Sequence, residues 1–402
     1  MSTLVRDTSC HHEPAYWSGI FAMTLCVFVL VASEFMPVSL LTLIAADLRV
    51  TEGVAGQGIA ISGALAVLTS LSISALAGDL NRKYLLLGMT ALMALSGMII
   101  AMASSYLVYM AGRALIGVAI GGFWSMSAAI AIRLVPQNRV PRALAIFNGG
   151  NALATIVAAP LGSYLGAMIG WRGAFYCIVP VAIIAFVWQA ISLPTMKTSK
   201  TSKTSKPGGT VFRLFAHPLV ASGLLACGLF FMGQFTLFTY VRPFLETVTR
   251  VDISTLSFIL LIIGVAGFAG TLLIATFLKS GLYPTLIVIP FVMAGIAGML
   301  MMMGHNIWGV APLLGVWGLL ATAAPTGWWT WLARTLPQDA EAGGGLMVAV
   351  IQLSIALGST LGGFMFDHHG WQCTFALSSG LLIFATALTY LTSRITPPPD
   401  QE

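Results

Sequence analysis

Residues 31–37 read Val-Ala-Ser-Glu-Phe-Met-Pro, and they place one carboxyl group inside the run 17–44, which otherwise has no ionisable side chain. About 20 apolar residues are enough to cross a bilayer as a helix. A carboxylate near the middle of such a helix costs about 2.5 to 3.5 kcal/mol on insertion scales. Burial favours its neutral form, whereas a nearby cation favours the charged form. Glu34 is therefore predicted to bind and release a proton; the alternative is a polar residue that hydrogen-bonds a neighbouring helix.

The composition around this carboxyl group is that of a membrane protein. The chain has 402 residues, of which 58% are hydrophobic and 8% charged, whereas soluble domains have about 25% charged residues. We predict an all-α protein with two bundles of six transmembrane helices. The predicted spans are near residues 17–44, 54–78, 84–103, 106–132, 143–169, 173–193, 217–241, 255–278, 282–303, 307–333, 343–366 and 372–392.

The basic residues predict the orientation of these helices. Fourteen of the 19 lysines and arginines fall on the side that holds the N-terminus, and four fall on the other side. Basic residues accumulate on the cytoplasmic side of bacterial membrane proteins. Both termini are therefore expected in the cytoplasm, with the protein in the bacterial inner membrane.

A basic linker divides the chain. The triplet Thr-Ser-Lys occurs three times at 198–206 and is followed by Pro-Gly-Gly, a composition typical of flexible spacers. Its lysines could instead attract anionic lipid. The predicted divisions are an N-terminal tail at 1–16, a first bundle at 17–193, the linker at 194–216, a second bundle at 217–393 and a C-terminal tail at 394–402.

The two bundles show signs of an internal duplication. Arg-Leu-Val-Pro-Gln at 133–137 returns as Arg-Thr-Leu-Pro-Gln at 334–338, and Gly-Trp at 170–171 returns at 370–371. Such matches at the same topological places are expected of parallel repeats in transporters. An offset of 200 takes Glu34 to Gln234, so proton chemistry is predicted in the first bundle alone.

Arg113 is the basic residue that we place inside a span. Glu34 lies about 16 Å and Arg113 about 12 Å from the same end of the bundle, at about 1.5 Å of helix rise per residue. If helices 1 and 4 adjoin, the guanidinium would keep Glu34 ionised until a proton or a solute competes. In the alternative reading, Arg113 reaches outward or braces backbone carbonyls.

Other polar and aromatic residues are candidates for binding a solute. Amides next to flat aromatic faces suit a neutral planar solute, although each could equally be a packing residue or an interhelical hydrogen bond. The predicted substrate-binding residues are Trp124, Asn148, Asn151, Gln234, Phe238, Thr326, Trp329 and Gln352.

The sequence contains none of the common signatures of enzymes that we sought. It lacks a Gly-x-x-x-x-Gly-Lys phosphate loop, His-Glu-x-x-His and Gly-x-Ser-x-Gly. The clusters Cys-His-His at 10–12 and Asp-His-His at 367–369 have no second pair of ligands nearby and are interpreted as exposed residues. We therefore expect no enzymatic activity, no metal, no cofactor and no nucleic-acid partner.

Several of these residues resemble motifs of the major facilitator superfamily. Residues 113–122, Arg-Ala-Leu-Ile-Gly-Val-Ala-Ile-Gly-Gly, resemble the helix 4 motif of its twelve-helix drug/proton antiporter branch, in which the arginine is implicated in proton coupling. Ala-Pro-Leu-Gly at 159–162 is similar to the helix 5 antiporter motif but has fewer glycines. The loop 78–83 resembles the family signature between helices 2 and 3 only in its final basic pair.

Within that branch the chain resembles bacterial exporters of purine ribonucleosides. The stretches that carry this resemblance are 34–41, 52–57, 121–127 and 327–331. It implies that helices 1, 4, 7 and 10 line a central cavity, which would bring Glu34 and Arg113 together. It also implies a monomer that exchanges protons for a small neutral solute such as inosine. Sugar or drug efflux by the same mechanism, or a membrane sensor that transports nothing, are the alternatives.

Overall fold

The computed structural model describes residues 15–77, 80–136, 139–196, 217–336 and 340–395. Most of the predicted linker and both terminal tails lie outside these ranges. Within them the chain is helical and contains no strand. The helices are α1 (Trp17–Leu48), α2 (Glu52–Ala77), α3 (Arg82–Ala101), α4 (Tyr106–Arg133), α5 (Val140–Ser192), α6 (Pro218–Phe238), α7 (Val241–Phe244), α8 (Ile253–Ser280), α9 (Leu282–Met303), α10 (Ile307–Thr335), α11 (Ala340–His369) and α12 (Trp371–Thr392).

Eleven helices of the described residues are long and apolar enough to span a membrane. One of them, α5, has 53 residues and leaves helical geometry at Gly170, so its two limbs make two crossings. The predicted separate helices at 143–169 and 173–193 are therefore the two limbs of one bent element. With this helix counted twice, the structure has the twelve predicted crossings.

The backbone repeats itself at four unusual residues. Among the described residues, Arg49 and Arg250 have φ of 56° and 57°, and Gly170 and Gly370 have φ of 77° and 84°. The members of the first pair are 201 positions apart and those of the second are 200 apart. Non-glycine residues seldom adopt positive φ, so the matched pair of arginines, together with the matched pair of glycines, supports an internal duplication that sequence motifs alone indicate weakly.

Short polar side chains set the beginnings of several helices. Asn81 accepts a hydrogen bond from the backbone N–H of Lys83 at the start of α3, and Asn306 accepts one from Trp308 at the start of α10. The Asp252 carboxylate accepts one from Ser254 at the start of α8. These N-caps satisfy donors that have no partner inside the helix, and they fix where each crossing starts.

The helices pack into two halves. In the first half α1 packs against α5, and α4 packs against α2 and α3; in the second half α12 packs against α6 and α9, and α8 against α10. Helices α2 and α11, and helices α5 and α8, pack against each other across the halves. Each half thus has its own interior, and the halves meet along a limited set of helices.

The halves are closed together at one end of the bundle. Their contacts begin where α1 ends and α2 begins, with Thr51 bonded to Asp367, and reach about halfway down, to Glu34 and Gln352. Beyond that depth, no hydrogen bond, ion pair or ring contact of the described residues joins the halves. With the orientation predicted from the basic residues, the open end faces the cytoplasm.

Candidate proton-coupling and solute site

The guanidinium of Arg113 is buried completely among backbone carbonyls. Its Nη1 donates to the main-chain oxygen of Ser33 at 2.9 Å, and its Nε donates to that of Gly58 at 2.9 Å. Its Nη2 donates to the Glu34 main-chain oxygen at 3.3 Å and to Ser62 Oγ at 2.9 Å. The side chain is 0% exposed. Arg113 therefore joins α4 to α1 and α2 without an acidic partner.

Pro37 explains why α1 offers a carbonyl to this arginine. A proline inside a helix has no N–H, so it leaves the carbonyl four residues earlier without its usual donor. In α1 that carbonyl belongs to Ser33, and Arg113 supplies the missing donor. The proline that the sequence places beside the acidic residue is thus part of the arginine's binding site.

Glu34 lies close to Arg113, but its carboxylate has another partner. The side chain is 7% exposed, and its Oε1 accepts a hydrogen bond from Nε2 of Gln352 at 3.2 Å. No ion pair between Glu34 and Arg113 occurs within the described residues. Glu34 and Arg113 are adjacent, as expected, but their charged groups are not paired as predicted. The arginine instead braces backbone carbonyls, which was the alternative.

Glycines on α4 allow this close approach. A Cβ at Gly117 would meet the backbone of Ser62, and one at Gly121 would meet the backbone of Ala66, both on α2. Without side chains at these positions, α4 comes near enough for Arg113 to reach Gly58 and Ser62. The helix 4 glycines thus bring the arginine within reach of the α2 backbone.

Near the depth of Glu34, where the contacts between the halves end, the two halves meet through aromatic rings and buried amides. We call this region the apex. Phe35 stacks on Phe235 with ring centroids 5.8 Å apart, and Phe238 packs edge-on against Phe235 at 6.0 Å. Gln234 is buried, and its Oε1 has no hydrogen-bond partner in the described part of the chain. A buried amide oxygen without a donor is rare, which makes Gln234 a candidate for a polar ligand.

The remaining predicted substrate residues lie nearer the open end. Asn148, Thr326 and Trp329 are exposed, with Trp329 41% accessible, and Asn151 is half-buried. Trp124 is half-buried and packs edge-on against Phe147 of α5 at 6.2 Å. The predicted residues therefore form two groups, which are the apex with Gln234, Phe238 and Gln352, and the open half with the other five.

The closed end contains a buried basic residue that falls in a loop between the predicted spans 217–241 and 255–278. Arg242 is 1% exposed, and its guanidinium donates to the Ser39 main-chain oxygen and, at 2.9 Å, to Thr42 Oγ1. It also pairs with Glu246 at 2.8 Å. The short helix α7 and a π-helical turn at Leu245–Thr249 extend this crossing beyond the predicted end at 241. The four-residue spacing of Arg242 and Glu246 was the available signal for a helical pair.

A second contact at the closed end uses Asp367. Its carboxylate accepts hydrogen bonds from Thr51 Oγ1 at 2.5 Å and from the Gly53 N–H at 3.0 Å. It therefore caps the first turn of α2 from the opposite half. Gly53 leaves the room for this contact, because a Cβ there would collide with the Asp367 carboxylate. The Asp-His-His motif at 367–369 gives no indication of this role, because Thr51 and Gly53 lie more than 300 positions away.

The metal-like clusters and the surface grooves are the other places where a site could lie. The cluster at 10–12 lies outside the described residues, and within them no group of His, Cys, Asp and Glu has the arrangement of metal ligands. Grooves of about 450 Å³ between α9 and α12, and about 360 Å³ near Tyr283 and Arg334, contain none of the predicted site residues.

Comparison with known proteins gives the family. The family model described as "Major Facilitator Superfamily" matches residues 23–350. A Pseudomonas aeruginosa protein named "Transcription regulatory protein OpdE" is 60% identical over 400 residues, which cover 99% of this chain and 100% of that protein. The "Purine ribonucleoside efflux pump NepI" of Salmonella typhimurium is 37% identical over 381 residues, with 95% of each chain covered.

Solved structures with little sequence similarity share the fold. The nucleoside transporter NupG, in a mutant form, has a TM-score of 0.76 at 13% identity and covers 93% of this chain and 98% of its own. A bacterial homologue of the human lysosomal transporter Spinster has a TM-score of 0.74 at 15% identity, with coverage of 95% and 98%. At this level of identity the similarity concerns the fold alone.

Proposed function

Because the chain belongs to the major facilitator superfamily, we propose that it is a proton-coupled antiporter that exports purine ribonucleosides and related purine analogues. Its family and its apolar helices make it a multi-pass membrane protein. The 37% identity to a purine ribonucleoside efflux pump supports the choice of solute. The bacterial inner membrane, cytoplasmic termini and a monomeric state belong to the same proposal.

The observation that carries the proposal is the position of Glu34. Its carboxyl group is buried where the two halves meet, beneath the closed end and above the open one, and it bonds a neutral amide from the opposite half. Ionisable groups inside a membrane protein are costly and mark ion pathways by default. A proton bound at this point would change the charge of the interface between the halves.

The proposed cycle alternates access to the two sides. In the outward-open arrangement Glu34 takes up a proton as the solute leaves, and the protonated protein then opens inward and releases the proton. A membrane potential contributes about 2.3 kcal/mol per charge per 100 mV, and a pH difference contributes about 1.4 kcal/mol per unit. One proton per cycle therefore supplies enough free energy to concentrate a neutral solute several hundredfold.

The solute is proposed to bind between the open half and the apex. Trp124 and Trp329 offer aromatic faces in the open half, and Phe238 offers another at the apex, on which a purine can stack. Asn151 and Gln234 offer amides for its polar edge. The amide of Gln352 already bonds Glu34, so solute binding there would compete with that bond.

Inosine-dependent proton movement in proteoliposomes tests the proposal. With a proton gradient imposed, the purified protein is expected to drive inosine uphill, and Glu34→Gln is expected to abolish this accumulation. The variant keeps the size of the side chain and removes the titrating group. Binding of inosine, measured by calorimetry on the purified protein, is expected to persist in the variant.

Glu52→Gln is the matched control, because Glu52 is a partly exposed acid in the first turn of α2 at the closed end. This variant should transport like the parent. Uphill accumulation by Glu34→Gln at the parent's rate would remove Glu34 from the mechanism. Competition by a sugar or an apolar drug, with no effect of inosine, would replace the purine solute by one of these classes.

A second candidate function has its own support. The relative with 60% identity is named a transcription regulatory protein. Such a role is compatible with a transporter if export changes the cytoplasmic concentration of a solute that controls transcription. It is also compatible with a membrane sensor whose arrangement, rather than its transport, is the signal.

Gene expression in cells separates these alternatives. Transcript levels are compared between cells that lack the protein, cells with the parent and cells with Glu34→Gln. If regulation requires transport, the variant should match the deletion. If the variant regulates normally while export is lost, the protein acts as a sensor. Identical transcripts in all three strains would exclude the regulatory role.

A further inference from the structure

We infer that Gln352 is a positioning residue that holds the empty, deprotonated protein in its inward-open arrangement and thereby limits proton leak. This inference rests on the proposed function and concerns the same carboxyl group. It assigns to Gln352 a role in coupling, in addition to the solute contact predicted from the sequence.

The bond joins the two halves at the depth where their contact ends. Glu34 belongs to α1 of the first half and Gln352 to α11 of the second, and both side chains are buried. On the same face, a Cβ at Gly63 of α2 would meet the backbone oxygen of Gln352. Opening the closed end must move α11 relative to α1 and α2, so the bond cannot persist unchanged through that movement.

Few other groups can take over the role of Gln352. From α4, the guanidinium of Arg113 faces Glu34, but its four hydrogen bonds go to three main-chain oxygens and to Ser62. Tyr109 lies one turn earlier on α4 and is also buried. The groups that α2 and α6 place near this point, such as Ser62 and Gln234, are neutral. Within the described residues, Gln352 is the donor that reaches the carboxylate from the opposite half.

The strength of this bond depends on the charge of Glu34. A hydrogen bond to a carboxylate is about twice as strong as one between neutral groups, and a buried carboxylate that loses its donor bears the full cost of desolvation. The bond therefore holds the deprotonated protein in the inward-open arrangement. Protonation weakens the bond, and a solute that engages Gln352 replaces it, so that either event permits the rearrangement.

Distances between spin labels test the inference without any solute. Leu107 and Trp308 are exposed residues in the first turns of α4 and α10, one in each half and both at the closed end. Labels at Leu107→Cys and Trp308→Cys, in a background whose native cysteines are replaced by alanine, report the opening of that end. In the parent, raising the pH should increase the closed population. In Gln352→Met, which keeps the volume and removes the donor, the population should not respond to pH.

Gln189→Met is the control for removing a buried amide. Gln189 is also 0% exposed but bonds Thr90 within the first half, so its replacement should leave the pH response intact. Glu34→Gln should lack the response, and adding Gln352→Met to it should change nothing further. A normal pH response in Gln352→Met would overturn the inference. Because no solute is present, this outcome is independent of whether purines are transported.

Proton flux provides the second measurement. In liposomes with an imposed pH gradient and no solute, Gln352→Met should admit protons about tenfold faster than the parent, the factor that corresponds to about 1.4 kcal/mol. Gln189→Met should leak no more than the parent. A leak unchanged in Gln352→Met would contradict the role of this residue, whereas an absence of inosine transport would affect the proposed function alone.

Discussion

The cap that Asp367 places on α2 allows a quantitative prediction for the closed end. Replacing Asp367 by alanine removes the acceptor for the Gly53 N–H and the Thr51 hydroxyl. Loss of an N-cap typically costs about 1 kcal/mol, and both residues of the side-chain contact are exposed, which argues against a larger value. Because the cap joins the two halves, it stabilises only the arrangement in which this end is closed. Removing it therefore destabilises the closed arrangement and leaves the open one unaffected.

The ratio of open to closed populations should therefore rise about fivefold in Asp367→Ala, since about 1 kcal/mol corresponds to this factor. Spin labels at Leu107→Cys and Trp308→Cys measure the ratio at fixed pH. Asp367→Asn should keep most of the closed population, because asparagine caps helices about as well as aspartate.

Asp252→Ala is the control that separates gating from helix stability. Asp252 caps α8 within the second half, with its carboxylate bonded to Ser254 N–H and Thr255 Oγ1. Its removal should lower thermal stability and leave the distance distribution unchanged. An unchanged distribution of label distances in Asp367→Ala, or an equal shift in Asp367→Ala and Asp252→Ala, would refute the role of Asp367 in holding the end closed.

Two further predictions concern the backbone. Arg113→Gln should lower the thermal stability of the purified protein, because the Ser33 carbonyl then loses its donor. Adding Pro37→Ala should recover part of that loss, because alanine supplies a backbone N–H to this carbonyl. Equal losses of stability with and without Pro37→Ala would contradict the pairing of Arg113 with Pro37. Gly170→Ala should destabilise the protein by about 1 to 3 kcal/mol through its positive φ alone, since no atom obstructs a Cβ there. Gly149→Ala is the control, because its Cβ also meets open space but the backbone is helical, and it should be neutral or stabilising. Thermal melts in detergent compare the two variants.

The membrane class and the number of crossings could be predicted from the sequence because they depend on composition and length. A run of about 20 apolar residues spans a bilayer wherever it occurs, so the spans needed no knowledge of their neighbours. The duplication was also visible at residues 170–171 and 370–371, where positive φ requires glycine. The predicted helix break there became a bend, because one non-helical residue is enough to turn the chain.

Burial of Arg242 could not be predicted, since a basic residue after an apolar run resembles any loop residue. Its partners on α1, Ser39 and Thr42, are about 200 positions away. Asp367 and Thr51 are even farther apart in the sequence, at 316 positions. Contacts between halves depend on how two rigid bundles sit against each other, which local patterns do not encode.

The sequence by itself determined that a carboxyl group and a guanidinium lie inside the membrane, because Glu34 and Arg113 stand within runs of apolar residues long enough to span it. The tertiary structure alone decided their partners. Arg113 bonds main-chain oxygens, one of which Pro37 leaves without a donor, and Glu34 bonds Gln352 of the other half. Hydrogen bonds have ranges near 3 Å, so their partners are set by helix packing, and spacing along the chain cannot choose among them.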